Sequence, residues 1–324
     1  MSNAVLARLG IDHTELEQQF TPVVKGRTLI LDGDGPAYRV ASTTNVITTA
    51  IRRYAAAVLT EMSLAGCTSA RVHLTAHDCR KADRKLYEGH TATPYQANRK
   101  SAKKPPVLET LREELGELGG WSEHNIEVVL NRILEADDAM RIDADKMGDC
   151  IIRSDDKDLR QLTQPWFEVS TGRIDRITDP FGWVDIKHTP AGAPKAVGHG
   201  HSFVLAQWLM GDKTDGVQGL SRYEGKRVGP VKAVQLVQEW GSVKRCIHKT
   251  LQAYAKVEQD ALAELEMLWL RRSETDTAYA WLSEQGLHPK WQTWLDALHE
   301  RHVATLKTRR ADNNYELTEN TNAE

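Results

Sequence analysis

Hydrophobic positions in the first half of the chain follow two rhythms. Residues 28–31 (TLIL) and 70–75 (ARVHLT) are short apolar runs that predict buried strands, each leading into acidic residues. Between them, residues 46–64 repeat with helical spacing and place Ile47, Ile51, Tyr54, Val58 and Met62 on one face. Residues 128–130 and 150–152 predict two further strands, separated by a helix that begins near Glu135. Strands alternating with helices predict an α/β domain, a mostly parallel central sheet flanked by helices. Residues 163–183 predict a small hairpin with its turn near Thr171 and Gly172. Residues 184–201, rich in Gly, Pro and His, predict a connecting loop, and the chain is expected to turn helical after Gly211. Residues 246–306 carry Trp269, Trp281, Trp291 and Trp294 in a helical pattern, as core or interface residues of a helical extension. From Arg309 the chain is polar and predicts a disordered tail.

Composition adds limits. With 324 residues, 40% of them hydrophobic and 27% charged, the chain can build one large or two ordinary soluble domains. No apolar run reaches the length of a bilayer span and the N-terminus does not read as a signal peptide, so no membrane partner is expected. Cys67, Cys79, Cys150 and Cys246 lack paired spacing, which predicts a reduced, cytoplasmic compartment and no zinc site. The net charge of -3 conceals a strongly uneven distribution.

Acidic motifs recur at the predicted ends of strands and helices: LDGDG (31–35), HD (77–78), EADD (135–138), SDDKD (154–158) and MGDKTD (210–215). Each has an ordinary explanation. Acids favour helix N-termini by roughly 0.3–1 kcal/mol each, and Asp caps helices and forms turns. Three acids in four residues (Glu135, Asp137, Asp138) exceed what a helix dipole needs. Asp156 and Asp158 project together from a loop or first turn, and Asp212 and Asp215 share a face if their turn is helical. In parallel sheets, ligands bind beyond the carboxyl ends of the strands, where Asp32 and Asp78 fall. Carboxylates so gathered disfavour their own ionisation unless a cation joins them. Oxygen-only donors select hard cations, Mg2+ or Mn2+. His199 and His201 (GHGH) lack a third ligand and read as a flexible surface feature.

Basic residues concentrate in two places. Segment 79–106 carries Arg80, Lys81, Arg84, Lys85, Arg99, Lys100, Lys103 and Lys104, interleaved with Tyr87 and Tyr95. Most charge runs are solvated helix faces, but this density favours phosphate contacts and base stacking. A second cluster, Arg222, Lys226, Arg227 and Lys232, surrounds GVQGL and VGP, where glycines allow backbone N–H groups to approach phosphates.

In order, LDGDG, HD followed by basic residues and YQANRK, EADD, SDDKDL and GDKTDGVQGL with VGPVKA resemble the 5′-nuclease (flap endonuclease) family over about residues 28–240. The family includes phage 5′→3′ exonucleases and ribonucleases H, and the 5′-nuclease domain of bacterial DNA polymerase I. The resemblance implies a PIN-like α/β nuclease core at 28–210 after an N-terminal extension (1–27). It implies a helical arch at 79–106 for a 5′ single strand, and a helix-three-turn-helix at 211–245 that grips duplex with K+ as its cation. The helical extension (246–308) and the tail (309–324) lie outside it. Two Mg2+ ions are implied, with Mn2+ able to substitute. Asp32, Asp78, Glu135 and Asp137 would help hold one; Asp156, Asp158 and Asp212 the other, with Asp138 and Asp215 bridging or in an outer shell.

The sequence departs from the family pattern twice. Gln96 stands where the family carries an active-site lysine, while Arg99 is kept; Lys100, Lys103 or Lys104 are the expected substitutes. SRYEGKR is inserted between GVQGL and VGPVKA. The implied activity is a structure-selective 5′→3′ exonuclease and flap endonuclease acting at DNA 5′ ends, flaps, nicks or primers. The resemblance places Arg99, Gln96 and Lys100 at the scissile phosphate. Arg80, Arg84, Lys85, Tyr95, Lys103, Lys104, Arg222, Lys226, Arg227 and Lys232 contact nucleic acid. The resemblance fits a monomeric stand-alone replication enzyme of phage type, in the cytoplasm of a bacterial host, with replication proteins as expected partners. Ribonuclease H-like action on RNA–DNA hybrids, and a catalytically weak junction binder, are the alternatives.

Overall fold

The computed structural model describes residues 21–97 and 104–320, with side chains to residue 312. Two compact units result: Met1–Cys79 with Lys103–Leu159 and Thr163–Thr178, and Arg80–Ala102 with Arg160–Leu162 and Asp179–Glu324.

The first unit is built on a seven-stranded sheet. Its strands are β1 (Thr28–Asp32), β2 (Ser69–Thr75), β3 (Gly120–Trp121), β4 (Ile126–Asn131), β5 (Cys150–Arg153), β6 (Trp166–Glu168) and β7 (Arg173–Asp175), in the spatial order β3-β4-β2-β1-β5-β6-β7. β1 lies at the centre, parallel to β2 on one side and to β5 on the other. Only the edge strands β3 and β7 run antiparallel. Leu29, Ile30 and Leu31 are all fully buried, as a central parallel strand covered on both faces requires. Helices α1 (Asp34–Ala41), α2 (Ile47–Leu64), α3 (Leu108–Leu118) and α4 (Ala136–Lys146) supply that cover. On α2 the predicted apolar face packs inward, with Tyr54 and Val58 buried and Ile47, Ile51 and Met62 partly so. The α/β expectation and the 163–183 hairpin are both observed, the latter as β6 paired with β7.

The second unit is mainly helical. Its helices are α5 (His201–Met210), α6 (Pro230–Trp240), α7 (Val243–Lys256), α8 (Ala261–Leu268), α9 (Ala278–Ser283) and α10 (Pro289–Asn320). α5 is buried from Ser202 to Leu209 and forms the centre of this core. Trp208 on α5 stacks on Tyr254 of α7 (5.7 Å between rings) and donates its indole N–H to the Ala261 carbonyl. Trp269 and Trp281 stack at 4.3 Å, so these tryptophans are core residues, as expected.

Four expectations change here. Residues 184–201 are not a loop: β8 (Trp183–His188) and β9 (Pro194–His199) form an antiparallel hairpin with Val184 and Ala196 buried. His199 is fully buried and His201 packs edge-on against Trp281, so the GHGH pair is not a flexible surface feature. After Gly211 the chain stays irregular until Pro230, which opens α6 at a position where its missing N–H costs nothing. Where a disordered tail was expected from Arg309, α10 continues to Asn320. There the Arg309 guanidinium donates to the Leu86 carbonyl and Arg310 to the Asp83 carboxylate.

Candidate metal centre

The first unit gathers its acids where β1 and β5 end side by side. Asp32 is the last residue of β1, and the turn after it is compressed. A side-chain carbon on Gly33 would fall 2.4 Å from the Tyr54 hydroxyl and 2.8 Å from the His73 carbonyl, so only glycine fits. The chain then enters α1, and the Asp34 N–H donates to Asp32 Oδ1 at 3.0 Å. Ser154, directly after β5, donates to Asp32 Oδ2 at 2.6 Å and accepts from the Asp156 N–H at 2.8 Å. Asp156 in turn accepts from the Asp158 N–H at 3.0 Å. The spacing of SDDKD thus encodes consecutive side-chain turns that hold Asp156 and Asp158 within the same cluster.

EADD approaches from α4. Glu135 is the residue before the first turn and makes no capping bond; the first amide, Ala136 N–H, is satisfied instead by Thr75 Oγ1 of β2. These acids are therefore not consumed by capping. Burial pushes Asp137 well above the carboxylate range, helped by Asp156, Asp32, Glu135 and Asp158. Burial pushes Asp32 up to about 6, helped by Asp34 and Asp156, while Ser154 and the Asp34 N–H partly oppose it. Asp32, Asp34, Glu135, Asp137, Asp156 and Asp158 thus form one electrostatic group on the first unit. Asp138 is fully buried in α4.

Sequence reasoning missed two members of this group. Asp34 accepts from Thr75 N–H and from Arg112 (3.0 Å), and raises Asp32 more than Asp156 does. Ser154 is the hydroxyl that orients Asp32. Both stood inside recognised motifs, and their offset from Asp32 and Asp156 was the available signal. Asp78 is engaged differently: it is exposed and ion-paired with Arg132 at 2.7 Å. Asp155, between the two cluster acids, is also turned outward, onto Arg39 and Arg153.

In the second unit, Asp212 and Asp215 occupy a loop that is bridged rather than helical, and it still brings their carboxylates within 4.8 Å of each other. Asp212 and Val217 exchange both backbone hydrogen bonds, and Asp212 Oδ1 accepts from the Thr214 N–H. Gly211 and Gly219 both have positive φ and approach each other so closely that side chains would strike backbone. The loop leaves Asp212 and Asp215 nearly buried. The Gly219 N–H, expected to face phosphate, donates to the buried Glu264 carboxylate at 3.0 Å. Burial pushes that carboxyl up to about 7.

The basic residues divide sharply. Arg84 was expected on nucleic acid but is 2% exposed, and its guanidinium bonds the Glu266 and Trp269 carbonyls. Its helical neighbours carry it into the core, with Tyr95 packed 6.0 Å away. Arg80 pairs with Asp83, Lys85 is exposed, and Lys104 pairs with Glu109. The inserted SRYEGKR is a tight two-residue turn: Tyr223 and Lys226 bond across Glu224 and Gly225, both at positive φ. It presents Arg222, Lys226 and Arg227 to solvent, with Lys232 over the Tyr223 ring at 5.4 Å. Gln96 is buried. Arg99, Lys100 and Lys103 lie outside the described residues. The four cysteines are buried free thiols. No helix among the described residues is long and apolar enough to cross a membrane.

An open parallel sheet with acids at the carboxyl ends of its central strands defines a class of fold. Among solved structures, the bacteriophage T5 5′-exonuclease with bound divalent zinc ions matches with TM-score 0.52 and 17% identity, over 86% of this chain and 99% of that one. A bacteriophage T5 flap endonuclease, in a pseudo-enzyme–product complex with DNA and metal ions, matches with TM-score 0.52 and 16% identity, over 87% and 99%. The chain therefore has the fold of the T5 5′-nuclease, and the resemblance drawn from its motifs holds at that level. No protein-family model and no curated protein matches the sequence.

Proposed function

We propose that the protein is a metal-dependent, structure-selective 5′-nuclease that hydrolyses phosphodiester bonds at DNA 5′ ends, flaps and nicks during replication or recombination. The observation that carries this reading is the carboxylate cluster, in which burial and mutual repulsion raise Asp32 and Asp137. Such a group is relieved by a cation, and its all-oxygen donors suit Mg2+ or Mn2+. In this reading Asp32, Asp34, Glu135, Asp137, Asp156 and Asp158 belong to the metal-binding set on the first unit. Asp138, fully buried in α4, supports it, and Asp212 and Asp215 form an acidic pair of their own on the second unit.

Bound there, a pair of divalent ions supplies Lewis acidity, a lowered pKa for the attacking water and charge for the leaving 3′ oxygen. The chain itself orients the site. Ser154 fixes the rotamer of Asp32, and the consecutive turns at 154–158 fix Asp156 and Asp158 before any ion arrives. Arg222, Lys226 and Arg227 meet duplex phosphates without reading sequence. The bacteriophage T5 flap endonuclease was solved with DNA and metal ions, which supports extending the reading from the shared fold to the activity.

Cleavage of a 5′-labelled flap duplex, with Mg2+ and with EDTA, tests the proposal. Product near the junction, present with Mg2+, absent with EDTA and absent in Asp156→Ala, is the expected result. Binding without cleavage under Mg2+ and Mn2+ alike would replace the enzyme by a junction-binding protein.

A further inference from the structure

Two imidazoles and a carboxylate converge inside the second unit, apart from the acidic motifs. His90 lies in the 79–106 segment, Asp260 stands just before α8, and His302 lies on α10. Asp260 Oδ2 is 2.7 Å from His302 Nε2 and 3.7 Å from His90 Nδ1. The side chains of His302 and Asp260 are 2% and 7% exposed, and that of His90 is 13% exposed. The two imidazole rings meet edge to face at 4.7 Å, and Tyr87 packs edge-on against His302 at 5.2 Å. One ligand atom from each of the three residues lies within 4.8 Å of the other two.

Hydrogen bonding fixes which nitrogen of His90 is bare. Thr305 Oγ1 donates its single proton to the Arg301 carbonyl at 3.1 Å, the back-bond of a helical threonine. Toward His90 Nε2, 2.9 Å away, the same oxygen can therefore only accept, so Nε2 carries the ring proton. In the neutral ring Nδ1 is then an acceptor, and it lies near a second acceptor, Asp260 Oδ2. Burial and the neighbouring His302 hold the His90 pKa below its ordinary value, which keeps the ring neutral. At 3.7 Å the two acceptors are too far apart to share a proton well. They are close to the separation, roughly 3.4 Å, of two ligand atoms on one tetrahedral zinc ion.

We propose that His90, Asp260 and His302 form a separate metal site that takes Zn2+ and fastens the chain at residue 90 to α8 and α10. Two imidazole nitrogens and one carboxylate oxygen suit Zn2+, with a water as the fourth ligand, whereas the all-oxygen cluster suits harder ions. Thr305 is the outer partner that orients a ligating histidine. The Ala263 N–H holds Asp260 Oδ1 at 2.9 Å, which leaves Oδ2 for the ion. Without the ion, Arg301 and the proton shared with His302 balance Asp260. Arg301 is 55% exposed and free to swing outward, and the ion takes the place of the shared proton. Mn2+ is the weakest divalent ion of its series at such a site. Cysteine spacing bears only on thiolate sites, and ligands at 90, 260 and 302 are too far apart in sequence to form a spacing motif.

Co2+ reports the geometry of the site. The full-length protein, untagged and in excess Mg2+ to supply the acidic cluster, is titrated with Co2+ and then with Zn2+. The expected result is the intense visible absorption of tetrahedral Co2+, saturating at one ion per chain and erased by Zn2+, with a rise in melting temperature on Zn2+ binding. His90→Ala should weaken Zn2+ binding at least about a hundredfold and Thr305→Val about tenfold, while Asp137→Asn keeps the absorption. Thr305→Val removes no ligand, so it decides the matter should His90→Ala fail to fold. No tetrahedral signal in the wild type, or unchanged affinity in a folded variant of His90 or Thr305, overturns the proposal. So does a signal lost in Asp137→Asn, which would assign the ion to the acidic cluster. No cleavage enters this test, so its failure leaves the nuclease reading intact, and failure of that reading leaves this site standing.

Discussion

Asp32 and Asp137 in the first unit and Asp260 and Asp276 in the second are all sheltered carboxylates, yet their protons are held in opposite ways. Burial raises Asp32 and Asp137, and the strongest charges acting on them belong to other carboxylates. Burial would also raise Asp260 and Asp276, but cations more than offset it. Asp260 lies 2.7 Å from His302 and pairs with Arg301; Asp276 is gripped bidentately by Arg272 and accepts from the Trp269 indole. The second arrangement completes its own charge balance and serves stability. In the first, Asp34 pairs with Arg112 and Asp158 with Lys157, yet the charges that raise Asp32 and Asp137 are carboxylates, a repulsion that a bound cation relieves.

Breaking each set should have opposite consequences. The largest effect is expected from Asp137→Asn, which removes one repelling carboxylate: flap cleavage with Mg2+ falls about a hundredfold or more, while the metal-free protein melts at a higher temperature. A melting temperature that falls with the activity would place Asp137 among the structural acids. Arg272→Ala acts the other way, leaving Asp276 sheltered without its guanidinium. Urea titration should show a loss of about 3 kcal/mol, with cleavage by the folded fraction unchanged.

The two sets also differ in pH dependence. Because the folded-state pKa of Asp32 is raised from about 3.8 to about 6, the folded protein holds a proton that the unfolded chain releases. The stability this contributes is complete below about pH 4 and is lost as pH rises through about 6. Asp260 and Asp276 have the opposite sign: their contribution is present above the ordinary carboxylate range and is lost as pH falls below it. Chelated protein should therefore lose part of its stability between about pH 4 and 6, and Mg2+ should restore it near neutrality. Melting curves in EDTA that rise steadily across that interval would contradict the assignment for Asp32. The smallest effect is expected from Asp155→Ala, since Asp155 itself is half exposed and the buried Arg153 keeps its Glu61 partner. Stability should change by less than about 1 kcal/mol and flap cleavage should persist, one residue away from an acid whose loss abolishes it.

The strands and helices of the first unit were legible because their apolar spacing matches the elements they form. Periodicity alone placed β1, β2, β4, β5 and α2 within a few residues. The β8–β9 hairpin was hidden because Gly, Pro and His obscured the alternation that buries Val184 and Ala196. The acidic motifs could be read at the level of the cluster but not of each side chain. Nothing in SDDKD tells Asp155 from its neighbours until Ser154 is seen to turn the backbone so that Asp156 and Asp158 are held and Asp155 is released. Arg84 misled for a related reason: a cation in a basic run was read as exposed, and the carbonyls of Glu266 and Trp269 that bury it lie far along the chain.

Calorimetric titration of the metal-free protein with Mn2+, beside Asp137→Asn, addresses the central claim without depending on substrate. Two ions bound per wild-type chain, with heat lost or sharply reduced in the variant, is the result expected of a cluster assembled to hold metal. Equal binding by both proteins, or none by the wild type at millimolar Mn2+, would contradict it.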